Sequence, residues 1–140
     1  MNKKYKLLSD QSIVVEGKKL YRVRALRDFE NVKKGDIGGY IESENNLSHD
    51  GDCWVYGNAW VSGKAWVCEN ARVYGDATVY GDAWVYGNAQ VFGDARVCEN
   101  ARVSGYVQVY GKARVFGNVT VSGDARVYGN AKVIGEVKGL

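Results

Sequence analysis

The chain of 140 residues has no proline, a single methionine and a single histidine. No apolar run approaches the roughly 20 residues that a membrane-spanning helix requires. The start, MNKKYKLLSDQ, lacks the apolar segment of a secretory signal peptide, so we expect a cytoplasmic protein. The only histidine, His49, cannot by itself supply the histidine ligands of a catalytic zinc centre. We therefore expect neither a metal site nor a cofactor.

Cysteine and net charge are also low. Cys53, Cys68 and Cys98 form no CxxC pair, and one of them would remain unpaired in any disulfide scheme. This pattern indicates reduced thiols and not a disulfide framework or a zinc site. A formal net charge of +3 is too small to indicate binding to a nucleic-acid polymer. The function must therefore be sought in how the residues are arranged.

The dominant feature of the chain is a repeat of six residues. A valine stands at every sixth position over 55–133, an alanine or valine at every sixth position over 59–137, and a glycine or glutamate at every sixth position over 57–135. Glycine at this frequency disfavours a helix, and the alternation of outward and inward residues in ARVY is typical of a strand. The repeat therefore predicts short strands joined at corners.

Two arrangements could join such strands. A meander of hairpins would exchange the apolar and polar faces at every strand, whereas a coil keeps valine and alanine inside throughout. Three strands per turn give a triangular coil of about 18 residues. We predict an all-β protein with a single-stranded parallel β-helix of about five coils over 51–140. A small β-hairpin cap with a lead-in segment, over 1–50, would cover the unpaired first coil.

Two resemblances support this fold. Units such as VYGDAT and VYGNAQ resemble the hexapeptide repeat of left-handed β-helix proteins, which include many acyltransferases. The segment DFENVKKGDIGGYIESENNLSHDGDCWVY, over 28–56, is similar to that of YdcK-like hexapeptide proteins and their prophage relatives, which are often described as transferases. The resemblance implies the left-handed sense of the coil, a phage-derived protein and a homo-oligomer, either a dimer or a trimer.

One outward column of the predicted β-helix is aromatic at every coil. It contains Tyr56, Tyr74, Phe92, Tyr110 and Tyr128. Stacked rings stabilise neighbouring strands, so this ladder is explained as a structural feature. The alternative interpretation is a contact surface for a partner subunit or a flat ligand.

A second column carries positive charge. Arg96, Arg114 and Lys132 lie in register on one predicted face, beside Cys98 and Phe116, while the acidic residues of the repeats lie at corners. This face is either a solvated surface with acidic counter-ions or an anion site, in which guanidinium groups bind phosphate and aromatic rings stack on a base. The candidate ligand-binding residues are Arg72, Arg96, Arg114, Arg126, Tyr74, Phe92, Tyr110 and Phe116.

Four tryptophans lie on outward positions near the start of the repeats. Trp54, Trp60 and Trp66 occupy one coil, one on each face, and Trp84 follows Trp66 in register. The N-terminal segment has room to cover one or two of them. All four are candidate residues of a homo-oligomer interface, which would cover those that the N-terminal segment leaves exposed.

The heptapeptide VCENARV occurs twice, beginning at Val67 and at Val97. The two copies are 30 residues apart and so fall on different faces of a three-sided coil. One chain therefore does not bring them into one shared site.

These observations favour a non-catalytic, oligomeric binding protein of phage origin, with no catalytic residue assigned. It would hold a small anionic ligand of the nucleotide signalling type at a basic and aromatic surface between subunits, and blunt host defence by sequestration. Two alternatives remain open. One is an acyltransferase-like enzyme with His49 as its base, and the other is a structural rod that mediates assembly.

Overall fold

The N-terminal segment forms a small antiparallel sheet. The computed structural model describes residues 3–134 and the backbone of the strand Val137–Lys138. The first elements are β1 (Tyr5–Val15), β2 (Lys18–Ala25), β3 (Ile37–Ile41) and a 3-10 helix (Glu44–Asn46). β1 pairs with β2 and β2 with β3, in both cases antiparallel. In the part of the chain that is described, no helix is long and apolar enough to cross a membrane.

Fifteen short strands follow, and they build the coils. They are β4 (Trp54–Val55), β5 (Trp60–Val61), β6 (Trp66–Val67), β7 (Arg72–Val73), β8 (Thr78–Val79), β9 (Trp84–Val85), β10 (Gln90–Val91), β11 (Arg96–Val97), β12 (Arg102–Val103), β13 (Gln108–Val109), β14 (Arg114–Val115), β15 (Thr120–Ser122), β16 (Arg126–Val127), β17 (Lys132–Val133) and β18 (Val137–Lys138). Each strand pairs in parallel with the third strand along the chain, so that three sheets form the sides of a prism. The predicted parallel β-helix of five triangular coils with a β-rich cap is confirmed.

The interior of the prism contains the valine and alanine columns of the repeat. All valines of the repeat from Val55 to Val121 are fully buried, and so are the alanines between them. Most corners carry glycine because the backbone there adopts positive φ and successive coils are close, while Glu69 and Glu99 adopt the same conformation with φ +58. Gly93 has φ +67, and a Cβ on it would lie 3.0 Å from the backbone nitrogen of Gly111. The hexapeptide period thus corresponds to one strand and one corner.

The cap continues one side of the prism. β3 pairs in parallel with β5, with Tyr40 opposite Trp60 and Ile41 opposite Val61. The amide of Tyr40 donates to the carbonyl of Ala59 at 3.0 Å, so the hydrogen bonding of the coils already begins at this residue. The division of the chain at residues 50 and 51 stays a prediction.

We name the three outward surfaces by their residues. The ladder face is the outer side of β4, β7, β10, β13 and β16. The basic face is the outer side of β5, β8, β11, β14 and β17. The tryptophan face is the outer side of β6, β9, β12, β15 and β18. The ladder face and the basic face meet at the corners that follow β4, β7, β10, β13 and β16.

Candidate functional site

The basic face presents three cations in register. Arg96 lies opposite Arg114 in the parallel pairing of β11 with β14, and Arg114 lies opposite Lys132 in the pairing of β14 with β17. All three side chains are exposed. Equivalent residues of paired parallel strands point in the same direction, about 4.8 Å apart. The three positive charges therefore form a short row along the prism axis.

Aromatic side chains border this row. A depression of about 160 Å³ is lined by Arg96, Arg114, Tyr80 and Phe116, together with Cys98 and Glu99. A second depression of about 250 Å³ is lined by Trp60, Thr78, Tyr80 and Arg96, and the tip of the cap hairpin at Val15 and Glu16 forms its wall. Arg96 belongs to both depressions. The basic face is consequently a shallow groove in which aromatic rings lie beside guanidinium groups.

The corner acids lie near the cations without pairing directly with them. Asp76 and Asp94 line a depression of about 310 Å³ together with Arg96, Lys112 and Arg114. Among the described residues, however, no carboxylate oxygen lies within 4.0 Å of the guanidinium group of Arg96 or Arg114. Like charges on neighbouring strands repel each other. The basic face therefore retains local positive charge.

The thiol within the groove is neutral at ordinary pH. Burial raises the pKa of Cys98, and burial also raises the pKa of the neighbouring Tyr80 hydroxyl. Nucleophilic chemistry requires the thiolate, and a raised pKa removes it. The thiol of Cys98 is therefore a poor nucleophile.

The ladder face carries the predicted aromatic column. The ring centroids of Tyr74 and Phe92 are 4.8 Å apart, those of Phe92 and Tyr110 are 4.9 Å apart, and those of Tyr110 and Tyr128 are 5.3 Å apart, all in stacked geometry. Tyr56 meets Tyr74 edge-on at 6.2 Å. The hydroxyl of Tyr74 donates to Oε1 of Gln90 at 3.0 Å. The ladder is therefore a continuous stacked feature from the second coil to the fifth.

The two arginines of the ladder face lie apart. Arg72 forms an ion pair with Glu30 of the cap at 3.4 Å and lines a depression of about 250 Å³ with Asn31, Tyr56 and Tyr74. Arg126 is exposed on β16, and the strands between it and β7 carry Gln90 and Gln108 at the equivalent positions. These arginines therefore form no row of cations like that on the basic face.

The structure divides the eight predicted ligand-binding residues between two faces. The ladder face has Arg72, Tyr74, Phe92, Tyr110 and Arg126, and the basic face has Arg96, Arg114 and Phe116. One chain does not bring all eight into one cavity. Their convergence between subunits stays a prediction.

The four tryptophans differ sharply in exposure. Trp54 is 1% exposed because Tyr5 and Phe29 of the cap pack edge-on against its ring, with centroids at 6.1 and 5.2 Å. Trp54 is therefore unavailable to a partner subunit, which corrects its assignment to an interface. Trp60 is half-buried, with its ring 5.8 Å from that of Tyr80.

Trp66 and Trp84 remain on the surface, 39% and 37% exposed. Their rings meet edge-on at 5.4 Å, and the guanidinium group of Arg102 lies 4.0 Å from the ring centroid of Trp84. Their role in a subunit interface, like that of Trp60, stays a prediction.

His49 has both ring nitrogens engaged within the chain. Nδ1 lies 3.1 Å from the backbone nitrogen of Lys4, which donates to it, so the ring proton resides on Nε2. Nε2 in turn lies 2.8 Å from Oε1 of Glu44, and the ring stacks on Tyr5 with centroids 4.1 Å apart. A general base needs a free acceptor nitrogen facing its substrate. The geometry of His49 therefore fits a structural residue that holds the N-terminal strand in place better than it fits a general base.

The sequence did not indicate that Lys4 is buried. Lys4 is fully buried, and its ammonium group donates to the carbonyl oxygens of Cys53 at 2.7 Å and Gly51 at 3.2 Å. Burial lowers the pKa of Lys4. A lysine in KYKLL has no sequence signal that separates it from a solvated one, because its partners are almost fifty residues away. Its role is to hold the cap against the first coil.

Comparison with known proteins agrees with the architecture. The family model described as YdcK β-solenoid repeat matches residues 71–87, 89–105 and 95–111. All three matches lie within the coils and none within the cap. No curated protein is significantly similar to the chain.

Proposed function

We propose that this chain, a parallel β-helix whose coils match the YdcK β-solenoid repeat, is a non-catalytic binding protein that holds a small anionic ligand on its basic face. The observation that carries this proposal is the row formed by Arg96, Arg114 and Lys132. Like charges on adjacent strands, whose backbones are about 4.8 Å apart, destabilise the sheet that holds them. A bound anion relieves this repulsion and accepts charge-assisted hydrogen bonds from the guanidinium groups. The row therefore favours phosphate or a similar group.

The borders of the groove support the nucleotide class of ligand. Tyr80 and Phe116 line the same depression as the two arginines. Aromatic side chains stack on nucleobases while arginines contact the phosphate, and this combination tolerates many base identities. A ligand with one flat ring and one or two phosphates matches the pattern of charges and rings.

The wider proposal is that the site lies between subunits of a homo-oligomer. The exposed ladder face of one subunit would then supply Tyr74, Phe92 and Tyr110, and its arginines, to the basic face of another. A signalling nucleotide held in this way would be sequestered. We propose that this sequestration blunts host defence, an idea motivated by the resemblance of 28–56 to prophage proteins. The stacked ladder supports this arrangement because its rings are only half-buried within one subunit.

The first test is native mass spectrometry of the protein taken directly from cells. We expect added mass in the nucleotide range that is lost on denaturation. Titrations with AMP, adenosine and inorganic phosphate then separate the contribution of the base from that of the phosphate. AMP is expected to bind more tightly than adenosine or phosphate alone.

The matched variants are Arg96→Glu/Arg114→Glu and Lys34→Glu/Lys64→Glu, which make the same change in net charge at exposed positions. Only the first pair is expected to abolish the added mass and the AMP signal. A ligand-free protein that also shows no saturable response to AMP overturns the proposal. Equal loss in both double variants would instead indicate a general effect of charge.

A further inference from the structure

A cleft on the tryptophan face has a different chemistry. It has a volume of about 580 Å³ and lies between the lead-in segment, at Ser48 and Asp50, and the first two coils. Trp66, Trp84 and Tyr86 supply its aromatic walls. The cleft lies on another side of the prism from the basic face, so it is independent of the function proposed above.

The three rings of the cleft lie nearly at right angles. Trp66 and Trp84 have centroids 5.4 Å apart and planes at 86°, and Trp84 and Tyr86 have centroids 6.5 Å apart and planes at 78°. Since adjacent rings are turned by nearly 90°, their electron-rich faces point in different directions, and all three side chains line the cleft. Such aromatic boxes attract cations, and quaternary ammonium groups above all, because these are poorly hydrated.

The polar groups of the cleft add negative charge. Its lining includes the carboxylates of Asp50 and Glu69 and contains no lysine, arginine or histidine. Oε1 of Glu69 accepts a hydrogen bond from the backbone N–H of Gly87 at 3.2 Å, which orients the carboxylate at the cleft. Cys68 also lines the cleft and is neutral there, because burial raises the pKa of its thiol to about 12. The net charge of the lining therefore favours a cation.

The chain already places one cation on this aromatic cluster. The guanidinium group of Arg102 lies 4.0 Å from the ring centroid of Trp84. Arg102 belongs to β12, which pairs with β9 on the side opposite β6, and it does not line the cleft. Trp84 thus makes a cation–π contact on the side of the third coil, while toward the first coil it packs edge-on with Trp66, with which it lines the cleft.

We propose that this cleft binds a small organic cation of the quaternary ammonium class, with Trp66, Trp84 and Tyr86 around the ammonium group and Glu69 as its counter-ion. The two copies of VCENARV then differ in function. In the first, Cys68 and Glu69 belong to the aromatic cleft, whereas in the second, Cys98 and Glu99 belong to the basic groove.

The test uses choline as the cation and 3,3-dimethylbutan-1-ol as its neutral isostere. Binding is followed by tryptophan fluorescence and by amide chemical shifts in the full chain. We expect saturable binding of choline, and binding of the alcohol that is weaker by about tenfold or more, since the loss of the charge removes both the cation–π and the carboxylate attraction.

Two variants make the test specific to the cleft. Glu69→Gln keeps an oxygen for the Gly87 amide and removes the charge, so it is expected to weaken choline binding by about fivefold or more. Glu99→Gln changes the same position of the second VCENARV copy and is expected to leave choline binding unchanged, as is Arg96→Glu/Arg114→Glu. Both glutamine variants are checked for an unchanged thermal melting temperature.

Three results would each overturn the inference: equal affinity for choline and the alcohol, no saturable signal up to about 10 mM choline, or the same loss in both glutamine variants. Covering of the cleft by a second copy of the chain would appear as the second of these results. A failure of AMP to bind the basic face has no bearing on this outcome.

Discussion

The rings of Tyr74 and Phe92 lie 4.8 Å apart with their planes only 1° from parallel. This distance equals the spacing of neighbouring strands in a sheet, so the backbone of the coils sets the separation of the rings. The ladder consequently reports how well the coils are stacked.

Phe92→Ala removes two stacked contacts at once, because Phe92 also stacks on Tyr110. Each aromatic pair contributes about 0.5–1.5 kcal/mol beyond its buried area, so we expect the free energy of unfolding to fall by about 1–3 kcal/mol in a urea titration. Phe92→Tyr is the matched control, since tyrosine occupies the equivalent position in the other coils, and it is expected to unfold like the wild type. An unchanged alanine variant would mean that the ladder contributes nothing to stability.

Two tyrosine hydroxyls of the ladder face are expected to behave in opposite ways. The hydroxyl of Tyr56 is buried without a hydrogen-bond partner among the described residues, whereas that of Tyr74 donates to Gln90. Tyr56→Phe removes an unsatisfied polar group and is expected to leave stability unchanged or raise it. Tyr74→Phe is expected to lower stability by about 0.5–1.5 kcal/mol. Thermal melting of the two variants side by side tests the contrast, which fails if both shift in the same direction.

The contact of the cap with the first coil leaves no room for a side chain at Gly38. A Cβ there would lie 2.6 Å from the carbonyl oxygen of Val55, 2.8 Å from Val23 and 2.9 Å from the Trp54 ring. Gly38→Ala is therefore expected to lower stability by more than about 2 kcal/mol and to expose Trp54, which a red shift of its fluorescence would report. Gly17→Ala is the control, because nothing lies within 4 Å of that site and only its positive φ opposes the change, at a cost of about 1 kcal/mol. Comparable effects in both variants would contradict the close packing.

All three thiols are expected to react slowly in the folded protein. Burial raises the pKa of Cys53, Cys68 and Cys98, that of Cys68 to about 12. Alkylation by iodoacetamide at pH 8.5, followed by intact mass, should therefore be about tenfold or more slower in the native protein than in urea. Cys98 should react first because it is the least buried of the three.

The same raised pKa predicts a dependence of stability on pH. The unfolded chain releases the Cys68 proton near its ordinary pKa of about 8.5, whereas the folded chain keeps it until pH approaches about 12. The free energy of unfolding should decline as pH rises between these values. In the Cys68→Ala variant it should decline less over the same range. For the alkylation experiment described above, equal rates with and without urea would show that the thiols are not buried.

Acid should loosen the anchor of the cap. The hydrogen bond from His49, followed by the contact with Lys3, holds the pKa of Glu44 below its ordinary range. A carboxyl with a lowered folded pKa stabilises the fold above its unfolded pKa of about 4.3, and this stabilisation is lost as pH falls through the lower, folded value. Glu44→Gln should flatten that acid decline in urea titrations between about pH 3 and pH 6, while Glu99→Gln at a distant corner should retain it. Parallel pH profiles for wild type and Glu44→Gln would rule out this role.

The repeat could be predicted from sequence because its contacts recur at a constant separation. Arg96 meets Arg114, and Tyr74 meets Phe92, each 18 residues further along, so columns read from the sequence become neighbours in space. The period also predicts which residues are buried, since valine and alanine hold the same inward positions in each coil.

The cap could not be predicted in the same detail, because its contacts follow no period. Lys4 contacts Cys53 and Arg72 contacts Glu30, and neither separation is a multiple of the 18-residue turn. The burial of Trp54 depends on Tyr5 and Phe29, which no pattern links to it. For the same reason, the columns alone did not indicate the cleft beside Glu69, since one of its walls is the non-periodic segment at Ser48 and Asp50.

The parallel pairing of each strand with its counterpart one turn later makes the length of the rod adjustable. Removal of one whole turn from the middle, for example residues 91–108, would bring together two layers whose inward residues are again valine and alanine. Only the number of layers would change, because such solenoids are stabilised by nearest neighbours alone. Evolution or protein design can thus shorten or extend the β-helix by whole turns, with the residues before and after the altered turn unchanged.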